Sequence, residues 1–313
     1  MIKNLLNRII RTKFTNLIKL NIRLSASNFL LKNTEYYKSF LDINDAGFKV
    51  YSQNNEDGII HFLLKMLSVK NSKFVEIGTE PKYHESNTRF LYESTDSEGL
   101  IIDNFLDLKY LEEDLEKWKG RIKLIKEWVN SENINLILKN NNFFNDLDLF
   151  SLDIDGIDYW VIDSLPEKIS KIFIAEYNPF FGPDLEITVP NIKNFNRTNY
   201  HYSNLCFGMS LKALINIMKK KGYIFLGVNN LKNNAFFIVE DLAVFFNKII
   251  NLLDLENLKI YTDCKFMESR DKNNRLQYLT KTQKFNLLKE TEVQDLSLPE
   301  RPLKKIKDLI INQ

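Results

Sequence analysis

The feature that most restricts what this chain can become is an alternation between positions 51 and 239, where short apolar, β-branched runs are separated by amphipathic stretches of roughly 10–15 residues. The runs are Lys73–Ile77, Gly99–Ile102, Ile122–Ile125, Leu147–Leu152, Lys171–Ala175, Tyr223–Gly227 and Ala235–Val239. A strand that is apolar along its whole length is covered on both faces. A helix-sized connection returns the chain to the same end of the sheet, which permits parallel pairing. The pattern therefore predicts an α/β fold whose mostly parallel, seven-stranded sheet carries helices on both faces. Only the last two runs lie too close for a helix, because residues 228–234 are a loop of Asn and Lys with few apolar positions. Those two runs should close as an antiparallel hairpin at the sheet edge.

The flanks read differently. The first 34 residues contain Lys and Arg but no Asp or Glu, and Leu5, Leu6, Ile9, Ile10, Phe14, Leu17 and Ile18 recur at helical spacing. This is a basic amphipathic helix, suited to packing on the body or on a partner subunit of a homo-oligomer, or to peripheral contact with an anionic membrane surface. After Asn247 the chain is rich in Lys, Asn and Leu, with helical periodicity in Phe285–Lys289 and Leu303–Ile311. The expected organisation is a helical extension over 1–45, a catalytic domain over 46–245, and a C-terminal helical extension over 246–313.

Charge excludes one class of partner: 43 basic residues against 41 acidic ones give no field that would draw nucleic acid. Cys206 and Cys264 lie far apart and form no metal or redox spacing, so a reducing compartment is the default. No run approaches the ~20 apolar residues of a membrane span. The apolar start is interrupted by Arg8, Arg11, Lys13 and Lys19, unlike a secretory signal, so a cytoplasmic location is expected.

In open α/β sheets ligands bind beyond the carboxyl ends of the strands, so the polar residues that follow each run carry the functional reading. The first run ends Glu76-Ile77-Gly78-Thr79, the second in Asp103-Asn104, and the fourth in Asp153-Ile-Asp155-Gly-Ile-Asp158. The fifth ends in Glu176-Tyr-Asn178. A glycine after the first strand lets backbone approach a ligand closely. An acid one βαβ unit later can accept both hydroxyls of a ribose. Three carboxylates packed into six residues raise one another's pKa unless a cation compensates them. If the fourth and fifth strands are neighbours, Asp155 and Glu176 share a cleft, and their oxygens suit Mg²⁺ or another hard divalent ion.

These residues together resemble the S-adenosylmethionine (SAM) dependent methyltransferases of the FkbM and sugar O-methyltransferase type, over roughly Tyr51 to Val239. The segments Tyr51-Ser52-Gln53-Asn54-Asn55-Glu56-Asp57-Gly58 and Glu85-Ser86-Asn87-Thr88-Arg89-Phe90 agree with that type as well. The glycine-rich continuation usual after the first strand is replaced here by Thr79-Glu80-Pro81. The resemblance implies a Rossmann-like class I methyltransferase fold, with SAM held by Gln53, Glu76, Gly78, Asp103, Asn104 and Asp153. It implies a divalent cation on Asp155, Glu176 and Asn178, and a catalytic base at Asp158 or His201. The base position is commonly His in that type, and here it is Asp158. A sugar-like small molecule, as precursor of a surface polysaccharide or natural product, is the implied acceptor. Residues 179–203, long and rich in Pro, Asn and aromatics, read as a lid or substrate-binding element. Two other readings stay open. Asp153-x-Asp155 is also the signature by which glycosyltransferases hold a nucleotide-sugar diphosphate through a metal, and the thin glycine loop would suit a catalytically degenerate binding protein.

Overall fold

The structure is a computed structural model, and it describes residues 34–115, 120–264 and 268–310. Most of the expected N-terminal basic helix lies outside the described residues, which begin with the short helix α1 (Thr34–Tyr37). The central domain carries strands β1 (Lys73–Ile77), β2 (Glu98–Ile102), β3 (Ile122–Ile125), β4 (Leu147–Leu152) and β5 (Ser170–Glu176). They are followed by the two-residue β6 (Ile187–Thr188), then β7 (Tyr223–Val228) and β8 (Asn234–Val239). The helices between them are α2 (Glu56–Met66), before β1, and α3 (Arg89–Ser94), α4 (Leu108–Leu115), α5 (Ile134–Asn140) and α6 (Asp158–Ser164). The long connection after β5 contains α7 (Arg197–Tyr200) and ends in α8 (Leu211–Lys220).

Seven strands form one sheet in the order β3-β2-β1-β4-β5-β8-β7. All pairs from β3 to β5 are parallel, and β8 runs antiparallel to both β5 and β7. This is the mostly parallel seven-stranded sheet expected from the alternation, in the strand order of the Rossmann-like class I methyltransferase fold that the resemblance implied, with the β7–β8 hairpin supplying the antiparallel edge. Strand order reverses at β1, which sits between β2 and β4, so a crevice opens above the tips of β1, β2 and β4.

The sheet is buried on both faces because neighbouring residues of a strand point to opposite sides. Val75, Ile77, Phe150, Leu152 and Phe173 join one apolar cluster with Ile134 and Leu138 of α5, Val161 of α6 and Leu214 of α8. Phe74, Ile101, Leu149, Ile172 and Phe236 join the other, against Ile59 and Leu63 of α2 and Leu91 of α3. Phe150 stacks on Phe173 with ring centroids 4.9 Å apart, which ties the two central strands together side by side. No helix among the described residues is long and apolar enough to cross a membrane.

The C-terminal extension is not purely helical. Helices α9 (Asn247–Ile250), α10 (Lys259–Thr262), α11 (Lys281–Leu288) and α12 (Ile306–Ile310) alternate with short strands. The pair β9 (Glu268–Arg270) and β10 (Leu276–Tyr278) forms a hairpin. Strands β11 (Glu292–Asp295) and β12 (Leu303–Lys305) build onto β6 of the central domain. The start of the expected helix at Leu303 is therefore strand, because those residues satisfy their backbone groups by pairing with β11.

Candidate functional site

Gly78 lies at the tip of β1 with φ +81°, a conformation that side-chain-bearing residues rarely adopt. A Cβ at that position would stand 1.5 Å from the carbonyl oxygen of Asp153, so only glycine lets the tips of β1 and β4 come this close. One residue earlier, Glu76 is buried, and its carboxylate accepts from Ser86 Oγ at 2.7 Å and the Asn87 and Thr88 amides at 2.8 and 3.2 Å. The Thr88 hydroxyl donates to it as well. Burial raises the Glu76 pKa, and these four donors pull it back. Its present work is to anchor the 86–88 loop over the crevice. Asn87 extends that loop by donating to Ser151 Oγ on β4 at 3.1 Å.

At the tip of β2, Asp103 accepts from the Phe105 amide at 2.6 Å through one oxygen. Its other oxygen takes only a long contact, 3.4 Å, from the Thr79 amide. That second oxygen retains accepting capacity toward the crevice. Phe105 is 61% exposed and meets Trp128 edge-on at 6.3 Å between centroids. A pair of aromatics with so much open face at a cleft mouth suits a flat heterocycle.

A cavity of about 410 Å³ lies over these tips and is lined by Gln53, Gly78, Asp103, Asn104, Trp128 and Asp153, among others. That volume falls within the ~300–1,000 Å³ of ligand clefts. The side of the cleft nearest α2 is fixed by two buried acids that the sequence reading quoted within the 51–58 segment but gave no role. Asp57 accepts from the amides of Val50, Tyr51 and Ser52 at 2.6, 2.8 and 2.9 Å, and Glu56 ties Asn229 and Asn234 to the 52–57 turn. Gln53, presented by that turn, donates to Glu85 at 3.0 Å and reaches into the cavity.

The loop after β4 curls around Asp158, whose two oxygens accept from the amides of Ile154 and Gly156 at 2.9 Å each. Burial raises Asp158 to about 6, against the lowering effect of those bonds. The curl holds Asp155 at φ +53° and presents it inward. Ligand oxygens of Asp153, Asp155 and Glu176 all lie within 4.8 Å of one another. Burial raises all three carboxyls, and the repulsion of Asp155 and Asp153 adds to this for Asp153 and Glu176 respectively. Arg197, on α7 of the long connection, pairs with Asp155 and lies 5.4 Å from the ring of Phe207. Asn233 Nδ2 approaches Glu176 at 3.5 Å.

A second cavity of about 150 Å³ lies beyond the trio. Gln53, Asp153, Asp155 and Arg197 line both spaces, so Asp153 and Asp155 stand at the junction, with Glu176 beside them on the side of the smaller space.

Three assignments need correction. Asp158 lines neither cavity and has both oxygens spent on backbone amides, so it shapes the loop and is no base. His201 also lines neither cavity: its Nδ1 contacts Ser203 Oγ at 2.6 Å, and its ring stacks on Tyr202. Asn178 is fully buried and donates to the carbonyls of Leu205 and Phe207 while accepting from the Phe180 amide, so it is not a third metal ligand. Asp153, which the sequence reading gave to the methyl donor, lies instead in the acidic cluster with Asp155 and Glu176. Arg197 carried no signal that distinguished it from a surface cation. Phe105 and Trp128 follow strand ends and could have been found by the same rule that found Asp103.

No family model and no curated protein matches the sequence. Among solved structures, the N-terminal domain of EvdMO1 with SAH bound aligns with 70% of this chain and 94% of its own, at 9% identity and a TM-score of 0.39. An O-methyltransferase family protein from Burkholderia thailandensis covers 58% of this chain and 57% of its own, at 10% identity and a TM-score of 0.34. The pyocyanin biosynthetic protein PhzM covers 58% of each, at 12% identity and a TM-score of 0.32. Resemblance at this level assigns no activity.

Proposed function

We propose that the protein is a SAM-dependent O-methyltransferase that acts on a hydroxyl of a sugar or sugar-derived precursor of a surface polysaccharide or natural product, with help from a divalent cation. The observation that carries this reading is the position of Asp153, Asp155 and Glu176 within 4.8 Å of one another where two cavities of unequal size meet. The larger space matches a dinucleotide-like donor: Gly78 gives close backbone approach, the uncommitted Asp103 oxygen faces a ribose, and Phe105 with Trp128 offers an apolar shelf for a base. SAM bound there supplies an electrophilic methyl group for in-line transfer to an oxygen.

The trio fits a hard divalent ion by donor chemistry, being three carboxylate oxygens held close together with one guanidinium to offset them. Bound by Asp153, Asp155 and Glu176, such an ion would acidify the hydroxyl of an acceptor. The protein's own contribution is orientation. Without the ion, burial and Asp153 hold the Glu176 carboxyl well above the usual carboxylate range; as a ligand it would serve ionised, and the acidified hydroxyl would pass its proton to water. Phe180 and Phe207 provide flat walls for a sugar ring there.

The glycosyltransferase reading of Asp153-x-Asp155 leaves Gly78 and Asp103 without a task, although they line the same cavity as Asp153. The deciding experiment is calorimetric titration of the protein with S-adenosylhomocysteine and, separately, with UDP and GDP in Mg²⁺. Micromolar binding of the first, lost in Asp103→Ala, supports the methyltransferase. Binding of a nucleoside diphosphate in its place would overturn it.

A further inference from the structure

The smaller cavity is closed by two segments that meet above the tip of β5. One is the connection 177–210, which contributes Phe180, Ser203, Leu205 and Phe207. The other is the β9 strand of the C-terminal extension, which contributes Glu268, Ser269 and Arg270. The two are stitched together at one point: the Arg270 amide donates to the Ser203 carbonyl at 3.2 Å, and Ser269 Oγ reaches the same oxygen at 3.4 Å. Phe180 is held from its other side by the buried Lys284, whose ammonium lies 4.1 Å from the ring centroid. The wall is thus fixed by packing.

Size and charge together narrow what this space admits. About 150 Å³ is well below the ~300 Å³ at which drug-sized clefts begin, so the cavity holds one ring and not two. Its ionisable lining comprises the carboxylates of Asp153, Asp155, Glu176 and Glu268 and the guanidiniums of Arg197 and Arg270, four negative groups against two positive. Each Arg is already paired, Arg197 with Asp155 and Arg270 with Glu268 at 3.0 Å. With a divalent ion on the trio the lining is close to neutral overall, and because both guanidiniums are already paired an anionic ring finds no unpartnered side-chain cation to receive its charge. A neutral polyol instead finds donors on one side of the Arg270–Glu268 pair and acceptors on the other.

Building on the methyltransferase reading, we propose that this cavity is the acceptor subsite, that it takes a single uncharged polyhydroxylated ring, and that the Glu268–Arg270 pair of the C-terminal extension selects it. Arg270 is a specificity residue that grips hydroxyls remote from the one methylated. The long connection supplies the stacking wall.

Cys264 lines the cavity and Cys206 is fully buried, so alkylation by iodoacetamide, read by mass spectrometry, reports on occupancy with an internal control. The full-length protein, with S-adenosylhomocysteine and Mg²⁺, is challenged with methyl glucopyranoside, methyl mannopyranoside and methyl galactopyranoside, and with glucuronate and glucose 6-phosphate. At least one neutral pyranoside should slow modification of Cys264 about fivefold, the factor reached at about four times Kd, and the two anions should slow it less. Arg270→Ala should lose that protection while S-adenosylhomocysteine still binds in calorimetry. Better protection by either anion, undiminished protection in Arg270→Ala, or no protection by any neutral ring in protein that binds S-adenosylhomocysteine would each overturn the proposal. Failure to bind S-adenosylhomocysteine would instead overturn the methyltransferase reading beneath it.

Discussion

The two cavities are built by different means. The larger is made of strand tips: Gly78, Asp103 and Asp153 follow β1, β2 and β4 directly, and their positions are fixed by the hydrogen-bond register of a sheet buried on both faces. The smaller takes only Asp153, Asp155 and Glu176 from the strand tips and the turns that follow them. Most of its remaining wall comes from a long connection and from β9, which is more than 90 residues from Glu176 in sequence, with Gln53, Cys264 and the β7–β8 loop residues Leu231 and Asn233 completing it. Rigid frame and grafted wall thus meet at the acid trio. A fold constrains the part of a site that every member must share, and insertions are where acceptors can be distinguished.

Mutations at the meeting point should separate the two halves most strongly. Asp155→Asn and Glu176→Gln should each cut methyl transfer by about a hundredfold or more, since each removes a charge placed against the reacting oxygen. Binding of S-adenosylhomocysteine should change less than about threefold in Glu176→Gln, whose side chain lines only the smaller cavity, and more in Asp155→Asn, whose side chain lines both. Equal losses of donor binding and of turnover would show that the two spaces act as one. Paramagnetic titration with Mn²⁺ provides a second readout, and both variants should lose the tight site.

On the donor side, Asp103→Ala removes a charged acceptor, and S-adenosylhomocysteine affinity should fall by about ten- to a hundredfold, in line with ~1.5–3 kcal/mol for a hydrogen bond to a charged group. Gly78→Ala forces a Cβ toward the Asp153 carbonyl and a side chain into φ +81°. It should both abolish donor binding and lower the thermal midpoint. The Asp103 variant should leave the midpoint of the ligand-free protein nearly unchanged, which distinguishes a ligand contact from a backbone requirement.

The frame also carries a pH signature of its own. Burial raises Asp57 to about 7, partly offset by its three backbone donors, and burial also raises Glu76 and Asp158. A raised carboxyl binds its proton more tightly in the folded chain than in the unfolded one. Its contribution to stability is complete below the ordinary value of 3.8 and is lost as pH climbs through about 7. For Asp57 alone the ceiling is about 4 kcal/mol, from ~1.4 kcal/mol per pH unit. Thermal midpoints should therefore fall between pH 5 and pH 8, and Asp57→Asn should flatten that decline. An unchanged slope in the variant would place the pH dependence elsewhere.

The same division explains what the sequence disclosed. The seven strands and the closing hairpin were legible because fully apolar runs at helix-sized spacing admit few other arrangements. Asp103 and Glu176 were legible because they terminate such runs. The 178 and 158 positions looked alike to them, acid or amide just past a strand, yet both side chains turn inward to satisfy loop amides. One-dimensional spacing does not distinguish a carboxylate that faces a cleft from one that a tight loop wraps around. The strands of the C-terminal extension were hidden for a related reason. β9, β11 and β12 span three or four residues each, too few for alternation to show, and they exist because they pair with other segments.

The smallest expected effect is the one that tests this distinction most economically. His201 stood out in the sequence as an imidazole in a polar loop, one of three in the chain, with a titration range suited to proton transfer. In the folded protein it is half-buried beside Ser203, stacked on Tyr202 at 4.6 Å, and its pKa is lowered by burial. It lines neither cavity. His201→Gln should therefore change kcat less than about twofold, with no shift in the acidic limb of the pH–rate profile, whereas a general base contributes 10²–10⁴-fold. Glu176→Gln should shift that limb, because protons compete with the ion for the trio. A large loss in His201→Gln would mean that the 196–203 loop swings the imidazole to the junction once both ligands are bound, and that it takes the acceptor proton there.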